Sequence, residues 1–204
     1  LLTTIDDRNQ MERRASILGA ITKLKQICNH PAQFLRDEGS LSDRSEKWEL
    51  LITLVEQILD NEEKLLIFTQ YKEMGELLQQ GLSQVFNRSI IFLHGGLTRS
   101  QREQMITTFR EDKQTAIFIL SLRAGGVGLN LTAANHVIHY DRWWNPAVEN
   151  QATDRVYRIG QTEAVTVHKL VTKGTIEEKI DQLLLKKQTM TEDILSFNQQ
   201  SISE

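Results

Sequence analysis

Apolar residues recur along this chain with two periods. Between residues 8 and 28, Ile17, Leu18, Ile21, Leu24 and Ile27 or Cys28 fall on one side of a helix. Pro31 is expected to end that helix, because a proline pushes the residue before it out of the α region. The stretch from Arg36 to Arg44 is polar, holds Gly39, Ser40, Ser42 and Asp43, and reads as a linker. Ser45 then caps a strongly amphipathic helix whose stripe is Trp48, Leu51, Ile52, Val55, Ile58 and Leu59. Beyond it, short apolar runs alternate with helical patterns. Strands are expected at 64–69, 89–93, 116–120, 136–140 and 165–170, and helices near 71–83, 99–110, 146–158 and 175–195. Thr98 with Gln101, and Thr175 with Glu178, have the spacing of a capping box. Strand–helix alternation with short connections predicts an α/β fold, a parallel sheet with helices on both faces. Ligands of such sheets bind beyond the carboxyl ends of the strands.

Composition narrows the function classes. The chain has 204 residues, 25% charged and 40% hydrophobic, enough to bury a core as one domain or one plus an appendage. Its formal net charge is −3, so any nucleic-acid surface must be a local patch. The single cysteine, Cys28, excludes an internal disulfide and fits a reducing compartment; it reads as a small buried apolar residue. His30 reads as a packed or capping histidine, and no metal-ligand spacing surrounds it. No apolar run approaches the ~20 residues of a membrane span. No repeat or low-complexity tract is seen, and residues 198–204 are expected to fray. The start at Leu1-Leu2, with no signal peptide, is that expected of a fragment of a longer polypeptide.

Two segments carry candidate chemistry. The first is QATDRVYRIGQ, Gln151 to Gln161. On a helix, Gln151, Arg155 and Arg158 share one face, since positions i, i+4 and i+7 do. Two permanent guanidinium charges and an amide suit a polyphosphate. The alternative is a solvated face in which Asp154 pairs with Arg158. The second is SLRAGGVGLN, Ser121 to Asn130, directly after the apolar run Ala116–Leu120. Its glycines, Gly125, Gly126 and Gly128, allow backbone N–H groups to approach a phosphate closely. Other polar groups fall at strand ends: Thr69-Gln70-Tyr71-Lys72, His94-Gly95-Gly96 with Arg99, and Ser121 with Arg123. The absences are equally telling. There is no G-x-x-x-x-G-K-[ST] loop and no strand ending in Asp-Glu, and phosphoryl transfer needs both parts.

Five segments in order resemble the second RecA-like lobe of a Swi/Snf-type ATPase, a branch of the superfamily 2 helicases. They are LKQICNHP (Leu24–Pro31), LIFTQY (Leu66–Tyr71), LHGGLT (Leu93–Thr98), SLRAGGVGLNLTAANHVIHYDRWWNP (Ser121–Pro146) and QATDRVYRIGQ. Arg142 and Trp143 depart from the usual pattern ahead of Trp144, the matched tryptophan. The resemblance implies a RecA-like sheet over residues 45–174, the end of a helical insertion and a linker over 1–44, and a bracing helix and tail over 175–204. Ile180, Leu183 and Leu184 would seat that brace. It also implies that Arg155 and Arg158 reach the γ-phosphate of ATP as arginine fingers. Gln151, Gly126, Gly128 and Asn130 would line the nucleotide side of the cleft. Mg2+ would be held by the missing first lobe, so no metal ligand and no activity alone are expected here. Gln70, Lys72, His94, Gly95, Gly96, Ser121, Arg123 and Trp144 would line a groove on duplex DNA. The implied partners are double-stranded DNA, the first lobe of the same polypeptide and a DNA-bound protein target, with no membrane. The implied setting is intracellular: cytoplasm and nucleoid, or nucleus. The function so implied is a DNA-dependent translocase that remodels DNA–protein complexes. The second lobe of an RNA-unwinding helicase and a non-catalytic DNA- or protein-binding module are the alternatives.

Overall fold

The computed structural model describes residues 2–37, 39–121, 131–153, 164–186 and 189. Helix α1 spans Leu2–Asn29 and α2 spans Pro31–Leu35. Pro31 therefore closes one helix and opens the next, as a proline at the first helical position can, since its missing N–H is no loss there. His30 is the N-cap between them. Its Nδ1 accepts from Ala32 N at 3.0 Å, which leaves Nε2 to donate to Leu41 O at 2.9 Å. The capping reading of His30 is the one observed.

The apolar stripe expected along α1 is not a core stripe among the described residues. Leu18 is 62% exposed and Leu24 48%, Ile27 is also exposed, and Cys28 is only half-buried. What α1 buries is polar: Lys25 and Asn29, in its last turns. Among the described side chains of α1, those at that end meet the sheet edge, and they do so through hydrogen bonds.

Helix α3, Glu46–Asp60, behaves as its pattern predicts. Ser45 Oγ accepts from Trp48 N at 3.4 Å. Trp48, Leu51, Val55 and Ile58 are buried, with Ile52 and Leu59 packed at the margin. Each such side chain contributes about 1.5–3 kcal/mol by leaving water.

Five strands follow: β1 Leu65–Thr69, β2 Ile91–Leu93, β3 Ile117–Ser121, β4 His136–His139 and β5 Thr166–Lys169. They form one parallel sheet in the order β2-β3-β1-β4-β5. Central β1 is buried throughout, and its alternation divides the core. Leu65 and Ile67 face the cluster under α3 and α4 (Lys72–Phe86). Leu66 and Phe68 face the cluster that includes Phe109 of α5 (Arg99–Glu111). Helices thus cover both faces, as expected of parallel strands. Helix α4 sits unusually close to the sheet. A Cβ at Gly75 would come within 2.2 Å of the Phe92 ring, so only glycine fits there.

The two capping boxes differ. Thr98 and Gln101 form the reciprocal pair. At the other site, Thr175 Oγ1 accepts from Glu177 N at 3.2 Å, while Glu178 Oε2 turns back to Gly174 N at 3.0 Å. Glu178 therefore serves the residue before the expected cap. The final helix, over 176–186, seats Ile180 and Leu184 in the core, but Leu183 points outward, 55% exposed. Residues 177, 180, 181 and 184 share the inner face, and position 183 lies off it. No described helix is long and apolar enough to cross a membrane.

Candidate functional site

The carboxyl edge of the sheet runs from His94 through Ser121 and Thr69 to Asp141. At its outer end, His94 Nδ1 accepts from Gly96 N at 3.2 Å and fixes a tight turn. Arg102 donates to Gly95 O and Leu97 O from α5, so this turn is braced from behind while Gly95 and Gly96 stay exposed. Ser121, closing β3, is buried. Lys72 is open to solvent and pairs with Glu76 one turn on, at 3.0 Å. Such an exposed pair is worth less than about 1 kcal/mol and leaves the ammonium free to move.

Toward the middle of the edge the chemistry turns inward. Asp141 is fully buried just after β4. It accepts from Thr69 Oγ1 at 2.5 Å, Gln70 N at 3.0 Å, Gln70 Nε2 at 2.8 Å and Asn29 Nδ2 at 3.4 Å. Burial pushes its carboxyl above the usual range, and those donors, with the Lys25 charge, pull it back. Gln70 spends its second amide proton on Arg142 O at 2.6 Å. An amide has two such protons. The Gln70 side chain therefore ties β1 to the segment after β4, with both of its amide protons engaged within the lobe. Lys25 also reaches Arg142 O, at 2.6 Å, and lies 5.4 Å over the ring of Trp144. Its pKa is lowered, by burial above all. Trp144 remains 43% exposed beneath that ammonium.

Helix α6, Pro146–Thr153, leaves this edge. Its inner face is pinned twice. Glu149, 1% exposed, takes Arg142 Nε and Trp143 N on one oxygen, both at 2.9 Å. Among the described residues its other oxygen has only Lys169 Nζ, 3.6 Å away, close enough for an ion pair but too far for a hydrogen bond. One turn on, Thr153 Oγ1 donates to Glu149 O and so accepts from His139 Nε2, at 3.1 Å in both cases. His139 is stacked on Phe68, and burial drives its pKa down to about 4, so it is neutral in the fold. Gln151 lies on the opposite side of α6, exposed. Arg142 meets a second carboxylate, Asp181 of the 176–186 helix.

Of the residues picked from the sequence, Gln70, Lys72, His94, Gly95, Gly96, Ser121, Trp144 and Gln151 fall on this edge or on α6. Arg155, Arg158, Gly126, Gly128, Asn130 and Arg123 lie outside the described residues.

The helicase conserved C-terminal domain matches residues 46–160. The SWI2/SNF2 ATPase core of Sulfolobus solfataricus in complex with dsDNA superposes with a TM-score of 0.78, at 44% identity, over 91% of this chain and 38% of that one. A SWI2/SNF2 ATPase C-terminal domain from the same organism gives 0.74 at 41% identity, over 90% of this chain and 74% of that one. This chain is the C-terminal, RecA-like lobe of a SWI2/SNF2 ATPase. The Bacillus subtilis protein YwqA, whose assigned name is that of an ATP-dependent helicase/translocase, is 53% identical over 91% of the chain. The human DNA excision repair protein ERCC-6 is 35% identical over 88%. The SWI2/SNF2 lobe spans 20% of the first relative and 13% of the second.

Asp141, Glu149, Lys25 and Asn29, part of the buried polar set of this SWI2/SNF2 lobe, were not marked by sequence reasoning, and Arg142 was marked only as a departure from the motif. Charged residues almost never bury unless paired. Lys25 and Asn29 find their partners 117 and 112 residues away, which no local pattern announces, while Arg142 and Glu149 pair from seven residues apart.

Proposed function

We propose that this lobe is half of an ATP-driven translocase on double-stranded DNA that remodels DNA–protein complexes. In this reading residues 1–44 are the end of a helical insertion and a linker, 45–174 the motor lobe, and 175–204 a bracing helix and tail. Arg155 and Arg158 act as arginine fingers on ATP bound between two lobes, with Gln151, Gly126, Gly128 and Asn130 beside them. ATP–Mg2+ is the substrate, and the first lobe holds the metal; this lobe alone does not turn ATP over.

The observation that carries this reading is the orientation of α6. Glu149 and Thr153 hold its inner face to the strand end, and Gln151 stands opposite them in solvent. A helix continuing in that phase carries Arg155 and Arg158 on the Gln151 side, four and seven positions on. The same spacing is the one the sequence offers for a face that meets a ligand and not the core. Guanidinium groups preset in this way stabilise the charge that builds up during phosphoryl transfer.

The DNA groove in this reading runs along His94, Gly95, Gly96, Ser121, Arg123, Lys72 and Trp144. Exposed backbone N–H groups and a few cations give phosphate contacts without sequence information. Gln70, at the end of β1, belongs to the same groove in this reading and also holds the strand end in place. ATP closes the lobes and hydrolysis reopens them, so that alternate grips become steps along the duplex.

The test uses the full-length protein. Arg158→Ala is expected to cut DNA-stimulated ATP turnover by about 10³- to 10⁵-fold while leaving the melting temperature near that of the parent. A loss under tenfold removes the arginine-finger role. Stimulation by single-stranded RNA and not by duplex DNA would point to an RNA-unwinding enzyme instead.

A further inference from the structure

Arg142 has no role in the reading above, yet it stands where three parts of the lobe meet. Its side chain is buried, 5% exposed. Nε binds Glu149 on α6, and Nη1 binds Asp181 on the 176–186 helix. Its backbone carbonyl receives Lys25 from α1 and Gln70 from the end of β1, each at 2.6 Å. A guanidinium is planar, with its donors in a fixed fork. Two carboxylates bound to different edges of one plane are therefore held in register with each other.

The final helix is docked by two ion pairs four residues apart on its inner face. Glu177 binds buried Lys47 of α3 at 2.6 Å and also accepts from Thr172 N at 3.0 Å. Asp181 binds Arg142. Ile180, between them, is buried. Of the two carboxylates on Arg142, Asp181 is the accessible one, at 26% exposure against 1% for Glu149. Lifting the helix would thus take Asp181 from Arg142 first. Glu149 would then face a guanidinium free to turn, with its other oxygen held only by distant Lys169.

We propose that Arg142 is a positioning residue for the arginine motif, and that through it the docked 176–186 helix sets the orientation of α6. This rests on the reading that Arg155 and Arg158 act on ATP. Arg142 touches neither nucleotide nor DNA; it acts through Glu149. Seating of the final helix then becomes a control on turnover, and any contact that lifts the helix slows hydrolysis without blocking ATP binding.

The experiment compares variants of the full-length protein by DNA-stimulated ATP turnover and by KM for ATP. Asp181→Asn is expected to lower kcat at least about tenfold, because a small misplacement of a catalytic group is that costly, with KM within about twofold of the parent. Asp181→Glu restores the carboxylate and recovers kcat. Glu178→Gln removes a carboxylate charge from the same helix at Gly174, away from Arg142, while its amide oxygen can still accept there, and is expected to leave kcat at the parent value. Arg142→Lys keeps the charge but loses the fork. It is expected to match Asp181→Asn, and the double variant is no slower than Arg142→Lys alone. Parental kcat in Asp181→Asn, or additive losses in the double variant, overturns the positioning role even where Arg158→Ala is inactive. Substantial turnover in Arg158→Ala instead overturns the reading beneath it.

Discussion

Helices α3 and α6 both pack on the sheet, but different forces hold them. Helix α3 presents Trp48, Leu51, Val55 and Ile58 to the core and is capped by Ser45. Among the described side chains of α6, Pro146–Thr153, the ones that pin it are polar: Glu149, which takes Arg142 and Trp143 N and lies 3.6 Å from Lys169, and the Thr153 hydroxyl. Apolar burial is non-directional and tolerates small shifts. A buried ion pair contributes little net stability, because desolvating the charges offsets their attraction, but losing one partner is costly. The apolar attachment therefore supplies stability, and the ionic one supplies geometry. That difference fits a framework helix on one side and, in the proposed function, a helix that must aim side chains at a ligand on the other.

The contrast can be broken at its strong end first. Leu51→Ala is expected to destabilise the lobe by about 2–5 kcal/mol, the usual range for a buried leucine whose site collapses only partly. Denaturant unfolding should show that loss equally at low and high salt. Next comes Glu149→Leu. It leaves Arg142 buried with a single carboxylate, and the expected cost is about 3 kcal/mol, at the low end for a broken buried pair because Asp181 remains. If Glu149→Leu proves neutral or stabilising, the ion pair is not what anchors α6.

The smallest expected effect depends on pH. His139 is neutral in the fold, with a pKa of about 4 set mainly by burial. An unfolded histidine titrates near 6.5, so between these values the unfolded chain binds more protons and stability rises with pH. The contribution is complete above about pH 6.5 and shrinks as pH falls toward 4. At pH 5 the loss is about 2 kcal/mol, at 1.36 per unit over about 1.5 units. Burial also lowers the pKa of His30 and His168, and both act in the same sense. His139→Phe keeps a ring against Phe68 and is expected to flatten the melting-temperature profile between pH 4 and 6.5. An unchanged slope assigns the acid sensitivity to the other histidines.

Legibility followed the same division. Strands β1 to β5 and helices α3 to α5 could be placed from the sequence, with ends matching to within three residues, because each carries its own periodic signal. The N-cap Ser45 and the Thr98–Gln101 box were legible for the same reason: both partners sit within one turn. Helix α1 misled, since an apolar stripe states only that something can cover it. The candidate site was half legible. Its strand-end residues could be listed from the topology, but Gln70 had its donors occupied by Asp141 and Arg142.

The order and type of the elements, the parallel sheet and the family motifs were determined by the sequence alone, since they rest on spacings within a few turns of chain. Which charges are buried, and which helix each one holds, was decided only in the tertiary structure. Asp141 meets Asn29, Lys47 meets Glu177 and Arg142 meets Asp181 because the fold brings distant segments together, and Glu149 reaches the same Arg142 from seven residues on. A charge finds its partner by proximity in space, and a linear pattern does not contain that distance.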